Sequence, residues 1–154
     1  MALVNYYAIQ SALADLLKTG PSGGYTDGHH PKDVFIEAMD REAVFDNMPF
    51  INVRLPEGTM EMRSIPNGYR LYLTFEIDIV CFHFTHFVNA AILRDTILGE
   101  AQLAVQQNAR FYDGIDSSKI EPTIRFGAGT VEGAQGHVAT ATFSVIVEAD
   151  IDAA

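Results

Sequence analysis

Basic residues are scarce in this sequence: 10 Lys and Arg stand against 20 Asp and Glu, a formal net charge of −10. Binding nucleic acid by neutralising its phosphates needs clustered Lys and Arg, so this balance argues against that mode. It does not exclude a surface past which DNA must move without sticking. Cysteine is almost absent. The single Cys81 has no partner for an intramolecular disulfide, and its place on the apolar face of a long strand fits a small core hydrophobe. Long hydrophobic runs are missing too: no stretch reaches the roughly 18–20 apolar residues needed to span a bilayer. The opening MALVNYYAIQSALADLLKTG has no basic n-region, so no signal peptide is expected. The expectation is a soluble protein, made in a reducing compartment. Catalytic and nucleotide signatures are likewise lacking, with no GxxxxGK(S/T), no GxSxG and no HExxH. The glycines of GAGTVEGAQG do not match a dinucleotide fingerprint, and no helix follows them.

What is present is a strongly patterned chain of 154 residues, 48% apolar and 19% charged, which excludes global disorder and suits one domain over residues 1–154. Its organising stretch is YRLYLTFEIDIVCFHF, starting at Tyr69. Leu71, Leu73, Phe75, Ile77, Ile79 and Cys81 fall on one face of an extended chain, whereas Tyr72, Thr74, Glu76, Asp78, Val80 and Phe82 fall on the other. Sixteen extended residues reach roughly 50 Å, far beyond the ordinary strand of about 5–6 residues, so this strand projects beyond a compact monomer. The last element, HVATATFSVIVEADID, repeats the design. Ala139, Ala141, Phe143, Val145, Val147, Ala149 and Ile151 form its dry side. Thr140, Thr142, Ser144, Glu148 and Asp150 dominate the other, with Ile146 the exception.

Between and before these strands the periodicity changes. Residues 2–18 place Tyr6, Ile9, Leu13, Leu16 and Leu17 on one helical stripe, and Gly20-Pro21 ends it. GPSGGYTDGHHPKD reads as a surface loop whose adjacent His29 and His30 do not by themselves build a metal site. Two strands are expected around VFIEAM and PFINVRL, with Pro49 opening the second. The stretch from Pro56 to Gly68 reads as a hairpin-like excursion tipped by Met60, Glu61, Met62 and Arg63. A helix is expected from about His86 to Asn108, with an apolar face wider than one side of a sheet requires, hence deeply buried or shared with a neighbour. KIEPTIRF reads as a short edge strand broken by Pro122, and the segment carrying Gly127, Gly129, Gly133 and Gly136 as a mobile hairpin loop. The expected fold is α+β: a mostly antiparallel sheet with two long strands, two helices packed on one face, and a protruding hairpin arm.

The nearest thing to a metal site is His83 and His86, three residues apart at a strand-to-helix junction, with His137 as a possible third imidazole. Capping of the helix, or packing among Phe82, Phe84 and Phe87, is the plainer reading. Glu76 and Asp78 lie two apart on one strand face, a spacing open to general acid/base work. A solvated sheet face explains them as well. No cofactor is implied.

In their order the elements resemble the tail terminator (tail-completion, head-to-tail joining) proteins of long-tailed bacteriophages. The likeness lies in the pattern of LVNYYAIQSALADLL, MPFINVRL, the arm-like excursion, LYLTFEIDIVCF leading into NAAILRDTILGEAQLAV, and the closing ATATFSVIVEADI, with no signature motif. It implies a structural virion protein, not an enzyme, made in the host cytoplasm and incorporated at the neck of the tail. Members form six-membered rings that stop the tail tube from growing and dock to the head connector or stopper protein, while DNA passes through the bore without specific binding. Related stopper and tail-tube proteins share the architecture. Under this reading the acidic positions Glu76, Asp78, Glu148 and Asp150 line the bore. Met60, Glu61, Met62 and Arg63, together with the loop carrying Gly129 and Gly133, contact neighbouring subunits or the tube. The rival readings are a small metal- or ligand-binding module built on His83 and His86, and an acid/base enzyme built on Glu76 and Asp78.

Overall fold

The fold comes from a computed structural model, which describes residues 4–37, 48–62, 68–129 and 136–152. Two helices and five strands follow in the order α1 (Tyr6–Thr19), β1 (Asp33–Ile36), β2 (Phe50–Met62), β3 (Gly68–His83), α2 (Phe87–Gln107), β4 (Ser117–Gly129) and β5 (His137–Asp152). The strands form one sheet in the order β1-β2-β3-β5-β4. All pairings are antiparallel except β1 with β2, which is parallel. The fold is α+β, with the helices packed against a mostly antiparallel open sheet.

Alternation along the two long strands determines what the sheet can pack against. β3 and β5 pair without interruption from Gly68 opposite Asp152 to His83 opposite His137. Leu71, Leu73, Phe75, Ile77, Ile79 and Cys81 are buried on one side, joined from β5 by Ala141, Phe143, Val145, Val147 and Ala149. Against this surface α1 sets Ile9, Leu13 and Leu17, and α2 sets Ile97, Leu98, Ala101 and Val105, so both helices cover the same face. Burying a large aliphatic or aromatic side chain contributes about 1.5–3 kcal/mol, so this layer is the main source of stability.

Local chemistry sets the ends of the helices. Asn5 accepts from the Ala8 amide and caps α1, whose start lies four residues beyond the expected one. At its other end Gly20 turns left-handed, with φ of +83°. The Tyr25 ring packs over Gly20, and the Tyr25 hydroxyl donates to the Leu17 carbonyl. The following loop is pinned to α2 as well, because Ser22 donates its amide to Gln107 and Thr26 donates to Glu100.

Two expectations about loops give way to strand. β2 continues past Pro56 to Met62, and the register with β3 shifts between Arg54 and Glu57. That irregularity absorbs the proline, and pairing then resumes, with Met60 opposite Leu71, Glu61 opposite Arg70 and Met62 opposite Tyr69. The arm therefore begins as a full member of the sheet, and Arg63 lies outside the described residues. β4 behaves in the same way. Its register with β5 shifts between Ile120 and Ile124, around Pro122, after which it runs on to Gly129 opposite Val138. Gly127 and Gly129 thus belong to an edge strand of 13 residues, not to a loop, and Gly133 lies outside the described residues.

Candidate functional site

The sheet face turned away from the helices carries the charged side chains. Arg54 lies opposite Glu76 on the neighbouring strand, with Asp78 two residues further along that strand. Its Nε reaches Asp78 Oδ2 at 2.5 Å, while Nη2 reaches Asp78 Oδ1 at 3.0 Å and also Glu76. A two-pronged guanidinium–carboxylate contact of this kind is geometrically specific. Thr142, opposite Asp78 on β5, donates its hydroxyl to Asp78 Oδ1 at 2.8 Å. Arg125 from β4 approaches Glu76 at 3.4 Å. The hydrogen bond to Asp78 is the leading cause holding the Arg54 guanidinium above its ordinary range.

A second cluster lies at the other end of the same face. Arg70 pairs with Glu148 and with Asp150, both at 2.9 Å, and with Asp116 at 2.5 Å. Lys119 stands 3.9 Å from Glu148. Hydrogen bonds to Asp150 and then Glu148 raise the Arg70 guanidinium likewise. Between the clusters runs an open groove of about 360 Å³, lined by Glu57, Thr74, Glu76, Glu121, Arg125 and Ser144 among others. At the Cys81 end the same face turns apolar. Met48, Phe50 and Val138 are buried there beside Phe35, Val80 and Phe82, with the Phe35 and Phe50 rings edge to face.

Glu76, Asp78, Glu148 and Asp150 thus share one face, as strand alternation requires, and they sit as two ion-paired groups around Arg54 and Arg70. Strand alternation could have found Arg70, which lies an even number of residues from Glu76. Arg54 depends on the register between β2 and β3, which no local pattern specifies. Acid still outweighs base on this face. Glu57, Glu61, Glu76, Asp78, Glu121, Glu148 and Asp150 stand against Arg54, Arg70, Lys119 and Arg125. Both Glu76 and Asp78 are taken up by Arg54, so neither stands free as an acid/base group.

His83 has structural employment. His83 Nδ1 accepts from the backbone amides of Thr85 at 3.2 Å and His86 at 3.1 Å, supplying the start of α2 with a side-chain acceptor that His86 itself does not offer. Its Nε2 lies 3.2 Å from the Asn89 side-chain nitrogen. His137 is the cross-strand neighbour of His83. Among the described residues no group of three or more His, Cys, Asp or Glu side chains is placed to hold a metal ion.

The positions expected to make assembly contacts are dispersed. Met60 and Glu61 are exposed near the end of β2, whereas Gly129 ends β4 on the far edge of the sheet. No helix among the described residues is long and apolar enough to cross a membrane. Comparison of the sequence with protein-family models and with curated proteins finds no match to either.

Proposed function

We propose that this chain is a structural subunit of the neck of a long-tailed bacteriophage. It forms a ring, of six copies as the resemblance implies, that ends polymerisation of the tail tube and joins the tail to the head connector or stopper while DNA passes through. The reading is non-enzymatic and needs no cofactor. The observation that supports it best is the acid-rich sheet face, spanned by two strands of 16 residues and left uncovered by both helices. A bore lined in this way repels phosphate, and its few arginines are already engaged by carboxylates. DNA therefore finds no row of free cations to release counterions against. Ion-pairing also ties the lining together, because Arg54 joins β2 to β3, and Arg70 joins β3 to β5 and to Asp116 just before β4.

The same face would suit a stopper or a tube subunit, and one assay separates the roles. Tail-tube protein from the parent phage is allowed to polymerise with increasing amounts of this chain, and tube length is measured by negative-stain microscopy. A terminator shortens the tubes and caps one end. A tube subunit co-polymerises or forms tubes alone, and a stopper leaves tube length unchanged. Either of the last two results would contradict the terminator role.

A further inference from the structure

We infer that the junction between β3 and α2 is an acid-sensitive latch: His83 holds the chain turned into the helix only while its Nδ1 is unprotonated, and uptake of a proton there releases the first turn of α2. The inference rests on side-chain geometry at this junction and is independent of the neck reading above.

Two backbone amides depend on one side-chain atom. His83 closes β3, and its Nδ1 accepts from the amides of Thr85 at 3.2 Å and His86 at 3.1 Å. His86 stands at the N-cap of α2 without a side-chain capping bond, and the first turn holds no acidic residue. The backbone bonds of that turn are long as well, with the Asn89 and Ala90 amides 3.2 and 3.5 Å from the His86 carbonyl. A helix start leaves its first amides, here beginning with His86, without helical partners, so an acceptor lost here is not replaced from within the helix.

These contacts fix the tautomer. A neutral imidazole has one donor nitrogen and one acceptor. With Nδ1 accepting, the hydrogen sits on Nε2, and the Asn89 side-chain amide, 3.2 Å away, serves it by presenting its oxygen. A second proton has only Nδ1 to go to. It takes the lone pair that both amides use and sets one N–H against two others. The Thr85 hydroxyl, 3.4 Å from Nδ1, is a poor substitute acceptor, since it also lies 2.8 Å from His86 Nδ1.

The titratable groups that face His83 are two further imidazoles and one pair of opposite charges. His137 is its cross-strand neighbour on β5, and the His86 ring on α2 lies 6.2 Å away. Along α2, Arg94 and Asp95 come near enough to bear on Cys81, and they pair with each other. β4 reaches this end with Gly129, opposite Val138. The nearest acid along β3 is Asp78, which alternation puts on the other face of the sheet and which Arg54 holds. The closed turn excludes the proton and the open turn binds it. The latch is therefore complete at neutral pH and is lost as pH falls through the imidazole range. The segment it releases carries the exposed Phe84 and Val88, so opening rearranges an apolar surface at this end of the molecule.

The test follows amide exchange by NMR from about pH 7.5 to about 5.5, expressed as protection relative to the unstructured chain. Protection of the Thr85, His86, Asn89 and Ala90 amides should fall about five- to tenfold, as for the loss of one capping acceptor. That of Phe143, in the middle of β5, should hold. His83→Asn supplies a side-chain oxygen that does not titrate, and protection in this variant should be independent of pH. His86→Gln and His137→Gln should behave as the wild type. A readout that needs no variant is the wild-type titration itself, in which the Thr85 and His86 amide shifts should share one midpoint with the His83 ring. Wild-type protection that holds across the range, amide shifts that follow the His86 or His137 ring instead, or a His83→Asn variant that keeps the full pH dependence would overturn the inference.

Discussion

Replacing Arg54 with Met keeps most of the aliphatic stem and removes the guanidinium that bridges β2 to Glu76 and Asp78 on β3. The side chains of Arg54, Glu76 and Asp78 are 35%, 22% and 21% exposed, so the cluster is neither a surface pair nor a buried one. Fully exposed pairs contribute about 0.2–1 kcal/mol, and breaking a buried one costs about 3–5 kcal/mol. The half-buried geometry and the paired contact to Asp78 place this loss between them, at about 2 kcal/mol. Most of it comes from two carboxylates left facing one another with only the Thr142 hydroxyl and Arg125 nearby. For a chain of this size each kcal/mol moves the melting midpoint by about 2–4 °C, so a fall of roughly 4–8 °C is expected. Urea denaturation of the wild type, Arg54→Met, Asp78→Asn and the double variant closes a thermodynamic cycle that isolates the coupling. The double variant should recover at least half of the loss. A single-variant cost under about 0.5 kcal/mol, or a double variant as unstable as the sum of the singles, would refute the view that this ion pair organises the face.

Cys81 is fully buried, and burial pushes its thiol up to about 12. It should resist a thiol-specific reagent at pH 8 in the native state and react at once in denaturant. Its folded value lies above the unfolded value of about 8.5, so the stability it contributes is complete below that pH and is lost as pH rises towards 12. Near pH 10.5 the loss should be about 2–3 kcal/mol by denaturant titration, and Cys81→Ala should flatten the alkaline slope. His83→Ala removes the acceptor at the start of α2 and should cost about 1 kcal/mol in a thermal melt. Wild-type melts with and without zinc should superimpose, and a zinc-dependent rise lost in His83→Ala would favour the metal-binding reading instead. At Gly20 an added Cβ would lie 2.7 Å from the Tyr25 ring on a backbone that disfavours side chains, so Gly20→Ala should cost about 1–3 kcal/mol by urea denaturation.

Much of the fold was legible in the sequence because the information was local. A period of two across β3 and β5 identified the buried face, and a period near 3.6 found both helices to within a few residues. Pro122 was rightly read as interrupting an edge strand, but that strand was read too short, and the one before Pro56 was read as giving way to an excursion. A proline ends a strand only where its ring or missing N–H disrupts pairing. Here register shifts accommodate both, and the strands continue. The parallel pairing of β1 with β2 and the insertion of β5 between β3 and β4 are long-range choices with no local signature. The same limit applied to the candidate site. The shared face of Glu76, Asp78, Glu148 and Asp150 followed from strand alternation, but their arginine partners depended on strand register and on contacts with β4. The wide apolar face of α2 was visible as an excess over what a sheet needs. Only the packing showed that Ile97 lies inside and that Val88, Ile92 and Leu103 lie outside.

The most direct test of the ring account is a cryo-electron microscopy map of the purified assembly at side-chain resolution. The account predicts a closed ring with a central hole and with Glu76, Asp78, Glu148 and Asp150 facing the axis. A ring with these four residues on its outer rim, or a particle with no bore, would contradict it.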